Sequence, residues 1–213
     1  MGTRLIFIRH GFSQSNKDKL FTGQADIPLT ELGRHQAECA AQYLKNTNID
    51  KIYASTLSRA VETAQAVAKT HGLSVIKDSG LCEINAGDWT EMPFDKISQD
   101  YQAEYNLWKN DMYSCKCPNG ESVAEFSKRV YNTVVKIAEE NDEKTVCIAS
   151  HATPIRTICT LALGCEASEI QSVPWSPNAS INIIEYENEN FHFVKRDIVE
   201  HLEGVMTNLP KNI

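Results

Sequence analysis

The sequence contains no apolar run of membrane length. Its first apolar run, from Leu5 to Ile8, is four residues long and ends at Arg9, whereas a membrane-spanning helix needs about 18 consecutive apolar residues. A run of four is also too short for the core of a secretory signal. We therefore expect a protein without a membrane partner.

The sequence also lacks an excess of positive charge. Lysine and arginine number 21 against 28 aspartates and glutamates, so the formal net charge is -7 at pH 7. An acidic surface argues against general binding to nucleic acids or anionic membranes, and no basic stripe with interleaved aromatic residues is present. An anionic ligand must therefore be attracted by a local cluster of positive side chains.

The cysteines do not follow the pattern of a disulfide framework or of a metal site. They number seven, an odd count, in a chain with no recognisable secretory signal, which is typical of reduced thiols and predicts a cytoplasmic protein. Cys115 and Cys117 make a C-x-C pair without a matching second pair. We interpret this pair as a coincidence within a loop rather than as a zinc site.

The length and the apolar content favour one domain over residues 1–213. The chain is 42% hydrophobic, which is enough for a single core of moderate size. Predicted strands and helices alternate, which is typical of an α/β three-layer sandwich with a mostly parallel central sheet flanked by helices. The strands are predicted at 5–8, 51–55, 73–77, 145–150, 180–186 and 191–197, and the helices at 31–45, 58–71 and 121–139.

Two further segments complete the prediction. Thr153 and Pro154 are typical of a helix start, a capping oxygen followed by proline at the first helical position. The segment at about 88–120 is irregular and rich in aromatic residues, and we interpret it as a small helical cap outside the main sheet. Its aromatic residues predict either an apolar wall for a substrate or packing between helices, and both interpretations stay open for Phe94, Tyr101, Tyr105 and Trp108.

Residues that suit an anion follow three of the predicted strands. Arg9 and His10 come directly after the first, and His151 directly after the strand that ends at residue 150. Arg59 lies just beyond the strand at 51–55. Ligands of open α/β sheets bind beyond the carboxyl ends of the strands, and the planar donor fork of arginine suits phosphate oxygens. The sequence therefore predicts a phosphate site at this edge.

The same residues carry a resemblance to a known family. Arg9-His10-Gly11, with Ser13 and Asn16, resembles the signature of the histidine phosphatase superfamily, the phosphoglycerate mutase-like proteins. Five further segments resemble the family's motifs in the same order: FTGQADIPLTELGRHQA (21–37), STLSRAVETA (55–64), LCEINAGDW (81–89), PNGES (118–122) and IASHATPIR (148–156). Six ordered segments over most of the chain make the resemblance specific.

The resemblance implies a role for each matching residue. It implies that His10 is the nucleophile, forming a phosphohistidine, and that Glu83 is the general acid for the leaving oxygen. It further implies that a small phosphate ester is the substrate and that neither a metal nor an organic cofactor is required. The remaining site residues that it implies are Arg9, Arg59 and His151 around the transferred phosphoryl group, with Ser13, Asn16, Thr22, Gly23 and Ala152 completing the pocket.

Elementary chemistry agrees with these roles. An attacking imidazole must be neutral, and neighbouring guanidiniums lower its pKa. The same cations stabilise charge on the phosphoryl oxygens, a role that metal ions have elsewhere. Glu83 must carry a proton when the leaving oxygen departs. Nearby arginines oppose that protonation and the incoming phosphate dianion favours it, and the sequence does not decide between them.

The resemblance is compatible with more than one activity. Family mutases carry a long insertion between the general acid and the PNGES-like segment, whereas here Pro118 lies only 35 positions after Glu83. This spacing favours a phosphatase with water as acceptor. A phosphoglycerate mutase-type phosphomutase is the alternative, and a phosphate-binding regulatory protein without turnover is a third. The sequence does not decide between a monomer and a homodimer.

The sequence departs from the family pattern at three places. Phe12 stands where the family often has a polar residue, so we expect its ring to shape the substrate mouth. Ala152 replaces a common glycine, a change that preserves the backbone donor. Trp89 is followed by Thr90 and Glu91 where Glu-Gly is frequent, and we interpret its indole as packing rather than recognition.

Overall fold

The computed structural model describes residues 2–208; residue 1 and residues 209–213 of the predicted domain lie outside the described part. The strands are β1 (Thr3–Arg9), β2 (Leu20–Phe21), β3 (Lys51–Ala54), β4 (Val75–Lys77), β5 (Met92–Pro93), β6 (Thr145–Ser150), β7 (Ile181–Glu187) and β8 (Asn190–Ile198). The helices are α1 (Gln14–Lys17), α2 (Glu31–Leu44), α3 (Ser58–His71), α4 (Phe94–Asp100), α5 (Gln102–Asn110), α6 (Val123–Glu139) and α7 (Ala152–Ala162).

The main sheet is mostly parallel, which confirms the predicted fold class. Its strand order is β4-β3-β6-β1-β7-β8. Strands β1, β3, β4 and β6 are parallel to one another, whereas β7 is antiparallel to both of its neighbours. Because Arg9 pairs with Ser150, and Ala54 with Ala149, the carboxyl ends of β1, β3 and β6 lie side by side.

The two faces of the sheet are covered by different helices. Leu5 and Phe7 of β1 belong to a core with α6 and α7, and Ile6 and Ile8 belong to a second core with α2 and α3. All four side chains are buried. An uninterrupted apolar run is what a strand buried on both faces requires, and it explains the four-residue run that opens the sequence.

The segment from residue 87 to residue 122 leaves the sheet and covers one end of it. It contains β5, α4, α5 and two short 3-10 turns, and β5 pairs with β2. Trp89 is fully buried and packs edge-on against Phe21 and Trp108, with ring centroids 5.4 and 6.0 Å away. Aromatic packing thus joins this cap to the body.

The start of α7 differs from the prediction. The helix begins at Ala152, after the N-cap residue His151, and Pro154 is its third residue. The prediction of a Thr153 cap with proline at the first position was wrong. The first turn of a helix has no internal acceptor for its N–H groups, so a proline is tolerated anywhere in it. The backbone N–H of Thr153 instead donates to a side chain of the candidate site.

Candidate active site

A cavity lies at the carboxyl ends of β1, β3 and β6. Its volume, with the open mouth included, is about 620 Å³. Eight of the ten predicted site residues line it, and the remaining two, Ser13 and His151, are fully buried and lie outside its lining. The eight are Arg9, His10, Asn16, Thr22, Gly23, Arg59, Glu83 and Ala152.

His10 follows β1, and one of its two ring nitrogens carries no proton. Its Nδ1 lies 2.8 Å from the carbonyl oxygen of Gly11, and a carbonyl can only accept, so Nδ1 carries the proton. Burial, followed by the charges of Arg59 and Arg9, lowers the pKa of His10 well below its usual 6.5. The imidazole is therefore neutral at pH 7, with the lone pair on Nε2.

Arg9 brings a guanidinium that is only partly satisfied by the protein. Its Nη1 donates to the carbonyl oxygen of Ser176 at 2.6 Å, while its Nε is buried and has no hydrogen-bond partner among the described residues. Burial lowers the pKa of Arg9 to about 10, with Glu83 opposing the shift, so the charge persists at pH 7. An unpaired buried donor is costly unless an anion accepts from it.

Arg59 is held in place by three acceptors. Its Nη1 donates to the carbonyl oxygen of Ala25 at 2.7 Å, and its Nη2 to that of Gly23 at 2.9 Å. Its Nε donates to Nδ1 of His151 at 3.2 Å. Burial lowers the pKa of Arg59 to about 10, which again leaves a full positive charge. Arg59 as a whole is 1% exposed, and it lines the cavity.

His151 has both ring nitrogens engaged inside the protein. Because Nδ1 accepts from Arg59, the proton of the neutral ring is on Nε2, which donates to Oγ of Ser55 at 2.6 Å. The pKa of His151 is lowered well below 6.5 by burial and then by Arg59. Its ring centroid lies 5.1 Å from that of His10. In this geometry His151 orients Arg59, a contact that the resemblance did not imply.

Glu83 lies at the same cavity on an irregular segment. Its Oε1 accepts from the N–H of Ile84 at 2.9 Å, and its Oε2 from the N–H of Thr153 at 3.2 Å. The second donor belongs to the first turn of α7, whose N–H groups have no acceptor within the helix. The carboxyl group of Glu83 is thereby aimed at a cavity that otherwise carries the cations Arg9 and Arg59.

Ser13 does not line the cavity, but it holds a residue that does. Its Oγ accepts from the N–H of Asn16 and caps α1, and the Asn16 side chain accepts in return from the Ser13 N–H. A further donor, Nδ2 of Asn178, binds Oδ1 of Asn16 at 3.1 Å. Ser13 therefore fixes Asn16, which is the residue of the pair that lines the cavity.

The expectation that Phe12 shapes the mouth was wrong. Phe12 is absent from the cavity lining, and its backbone binds the start of α2 through the Gln36 amide and Thr30. The loop that carries Phe12 packs closely on α2, because a Cβ on Gly11 would come within 2.2 Å of the carbonyl oxygen of Gly33.

The mouth of the cavity contains residues that sequence reasoning missed. Trp175 is stacked on Trp108 at 6.3 Å between ring centroids, and the Arg156 guanidinium lies 4.1 Å from the Trp175 ring. In the sequence, the only indication of a special role for Trp175 was its position between Pro174 and Pro177. The other lining residues that were missed are Lys19, Leu20, Phe21 and Thr153.

Residues 2–208 lack two features that would point to other functions. No group of three or more His, Cys, Asp or Glu in this part of the chain is arranged to hold a metal ion. No helix in the same range is long and apolar enough to cross a membrane. The charged side chains that line the cavity are those of Arg9, Lys19, Arg59 and Glu83.

Comparison with known families now adds an independent observation. The family model described as histidine phosphatase superfamily (branch 1) matches residues 5–198. The chain belongs to this superfamily. Membership makes it an enzyme of the phosphatase or mutase type.

Individual relatives within the histidine phosphatase superfamily include both types. The chain is 31% identical over 199 residues to phosphoserine phosphatase 1 of Hydrogenobacter thermophilus, which covers 93% of this chain and 94% of that protein. It is 34% identical over 180 residues to the 2,3-bisphosphoglycerate-dependent phosphoglycerate mutase of Bartonella tribocorum. That alignment covers 81% of this chain and 87% of the mutase. The solved structure of Bacillus stearothermophilus YhfR matches with a TM-score of 0.89 at 28% identity. The match covers 94% of this chain and 99% of YhfR.

The lowered pKa values of two histidines predict that acid reduces folding stability. An unfolded chain protonates His10 and His151 near pH 6.5, whereas both pKa values lie well below that in the folded protein. In this window the unfolded state binds more protons. The free energy of unfolding is therefore lost as pH falls, by up to about 1.4 kcal/mol per pH unit for each histidine.

Denaturant unfolding at about pH 7 and about pH 5.5 measures this loss. Between these two pH values, His10→Gln should lose less stability than the wild type does, because one of the histidines whose pKa is lowered by folding is gone. His35→Gln, at an exposed position of α2, is the matched control and should lose as much as the wild type. Equal losses in His10→Gln and the wild type would contradict the lowered pKa of His10.

Proposed function

We propose that the protein is a metal-independent phosphomonoesterase that hydrolyses a small phosphorylated metabolite through a phosphohistidine on His10. One observation carries the proposal. A neutral imidazole with a free Nε2 lines the same cavity as the guanidiniums of Arg9 and Arg59 and the carboxyl of Glu83. A nucleophile, two fixed cations and a proton donor are the parts that phosphoryl transfer needs.

The first step transfers the phosphoryl group to the protein. The ester's phosphate oxygens lie against Arg9, whose Nε has a hydrogen to donate, and Arg59. The Nε2 lone pair of His10 attacks phosphorus, the bond from phosphorus to the ester oxygen breaks, and Glu83 gives its proton to the departing oxygen. The products of this step are the free alcohol, the phosphohistidine and the Glu83 carboxylate.

The second step returns the protein to its starting state. The Glu83 carboxylate removes a proton from a water molecule, whose oxygen attacks phosphorus as the N–P bond of the phosphohistidine breaks. Inorganic phosphate leaves, His10 is neutral again and Glu83 is protonated again. Arg9 and Arg59 stabilise the charge on the phosphoryl oxygens in both transition states, because they are already oriented before the substrate enters.

The shortness of the cap supports water rather than a second hydroxyl as acceptor. A mutase has to protect its phosphohistidine from water until the phosphoryl group returns to another oxygen. Here Pro118 follows Glu83 after only 35 positions, and the cavity has an open mouth. The similarity to both a phosphatase and a mutase leaves phosphoglycerate mutase activity as the second candidate.

Release of phosphate from a panel of monoesters in the presence of EDTA tests the proposal. The panel contains phosphoserine, 3-phosphoglycerate, α-ribazole phosphate, fructose 2,6-bisphosphate and 4-nitrophenyl phosphate. We expect phosphate release that EDTA leaves unchanged. Conversion of 3-phosphoglycerate to its 2-isomer without phosphate release would establish the mutase instead. Binding of inorganic phosphate without turnover of any ester would favour a binding protein.

A further inference from the structure

An ion pair outside the cavity lies behind the segment that carries Glu83. Arg129 of α6 donates to both carboxylate oxygens of Glu121, through Nε at 2.9 Å and Nη2 at 2.8 Å. The two side chains are 25% and 23% exposed, and neither residue lines the cavity. The pair therefore has no direct contact with a substrate bound there.

The remaining N–H groups of Arg129 all bind the backbone around Glu83. Nη1 donates to the carbonyl oxygens of Gly80 at 3.0 Å and Cys82 at 3.1 Å, and Nη2 donates to that of Glu83 at 3.4 Å. A guanidinium has five N–H donors in a fixed fork. With the two bonds to Glu121, all five find acceptors, and three of those acceptors belong to residues 80–83.

Glu121 holds the other side of the same segment. Its Oε2 accepts from the N–H of Asn85 at 2.7 Å, and its own N–H donates to the carbonyl oxygen of Asn85 at 2.9 Å. The ion pair thus binds the backbone both before and after Glu83. Residues 82–86 have no regular secondary structure, so these hydrogen bonds take the place of a sheet or helix in fixing the backbone.

We propose that Arg129 and Glu121 are positioning residues that hold the Glu83 carboxyl at the place where it gives its proton to the leaving oxygen. The inference rests on the proposed function, in which Glu83 is the general acid. Within residues 2–208, the carboxyl itself is bound by the N–H groups of Ile84 and Thr153 alone. A shift of the segment by about 1 Å is enough to cost about 10²-fold in a rate that depends on such geometry.

A series of substituted phenyl phosphates separates positioning from a general loss of structure. The esters differ little in size but widely in the basicity of the leaving phenoxide, and only a basic leaving oxygen needs a proton as its bond breaks. The value of kcat/KM reports the step that forms the phosphohistidine. For Arg129→Gln we expect kcat/KM to fall by about 10²-fold with phenyl phosphate and to change little with 4-nitrophenyl phosphate.

The matched control is Lys128→Gln, the same change of charge on an adjacent, exposed position of α6. It should leave kcat/KM unchanged for every ester in the series. A double variant with Glu83→Gln gives a second readout. If Arg129 acts through Glu83, adding Arg129→Gln to Glu83→Gln should lower kcat/KM for phenyl phosphate by little more than Glu83→Gln alone.

An equal loss on all esters, or a full additional loss in the double variant, would overturn the proposal. Where Arg129→Gln does not fold, Glu121→Gln replaces it, because that change keeps the size of the side chain and removes only the charged pair. The same dependence on the leaving group is expected. A wild-type protein that releases no phosphate from any ester would refute the proposed function, whereas turnover without that dependence would refute the positioning role alone.

Discussion

Replacement of His10 by alanine is expected to abolish phosphate release. Without the imidazole there is no atom to accept the phosphoryl group, and Arg9 and Arg59 can bind the ester but cannot open the covalent route. In a serine protease, which also works through a covalent intermediate, loss of the nucleophile costs about 10⁶-fold in kcat. The substrate cavity is retained, since its other lining residues are unchanged, so inorganic phosphate should still bind to the variant.

Rapid quenching with a radiolabelled ester checks this expectation directly. The wild type should carry covalently bound label that is released by acid but not by base, which is the behaviour of a phosphohistidine. His10→Ala should carry no label. The exposed His35 supplies the matched control, because His35→Ala removes an imidazole outside the site. Continued labelling or turnover in His10→Ala would assign the nucleophile to another residue.

Replacement of Glu83 by glutamine is expected to slow turnover by about 10²- to 10⁴-fold on esters with a basic leaving oxygen. An amide has no acidic proton to give at neutral pH, and it cannot remove one from the attacking water. Its kcat/KM for 4-nitrophenyl phosphate should fall much less, because that phenoxide leaves without a proton. Steady-state kinetics on phenyl phosphate and 4-nitrophenyl phosphate measures the difference.

Glu91→Gln makes the same chemical change at an exposed residue of the cap and should leave both rates as they are. The fold of Glu83→Gln is checked by its unfolding transition, since the amide can accept from only one of the two N–H groups that the carboxylate binds. Full activity of Glu83→Gln on phenyl phosphate would mean that another group protonates the leaving oxygen.

The fold was predictable where each element has a local pattern. Strand β1 was recognisable because burial on both faces requires an unbroken apolar run. Helix α3 was placed at 58–71, with Gly72 ending it, and the structure has the same bounds with Gly72 in the left-handed conformation at φ 66°. The convergence of Arg9, His10 and Arg59 followed because parallel strands end at one edge of the sheet.

The contacts that complete the site were not predictable in this way. Trp175 reaches the mouth through a loop with no periodic pattern. Phe12 is absent from the cavity lining, and its loop packs on α2 where Gly11 meets Gly33. Each outcome depends on how elements far apart in the chain pack together.

The sequence by itself determined which chemical groups this protein has and at which edge of the sheet they lie, because residue type and strand pattern are local properties. Only the tertiary structure decided which atoms of those groups are free to act. Both ring nitrogens of His151 are hydrogen-bonded, one to Arg59 and the other to Ser55. These partners lie 92 and 96 positions away in the sequence. Hydrogen bonds over such separations are set by the packing of the whole chain, which no short pattern encodes.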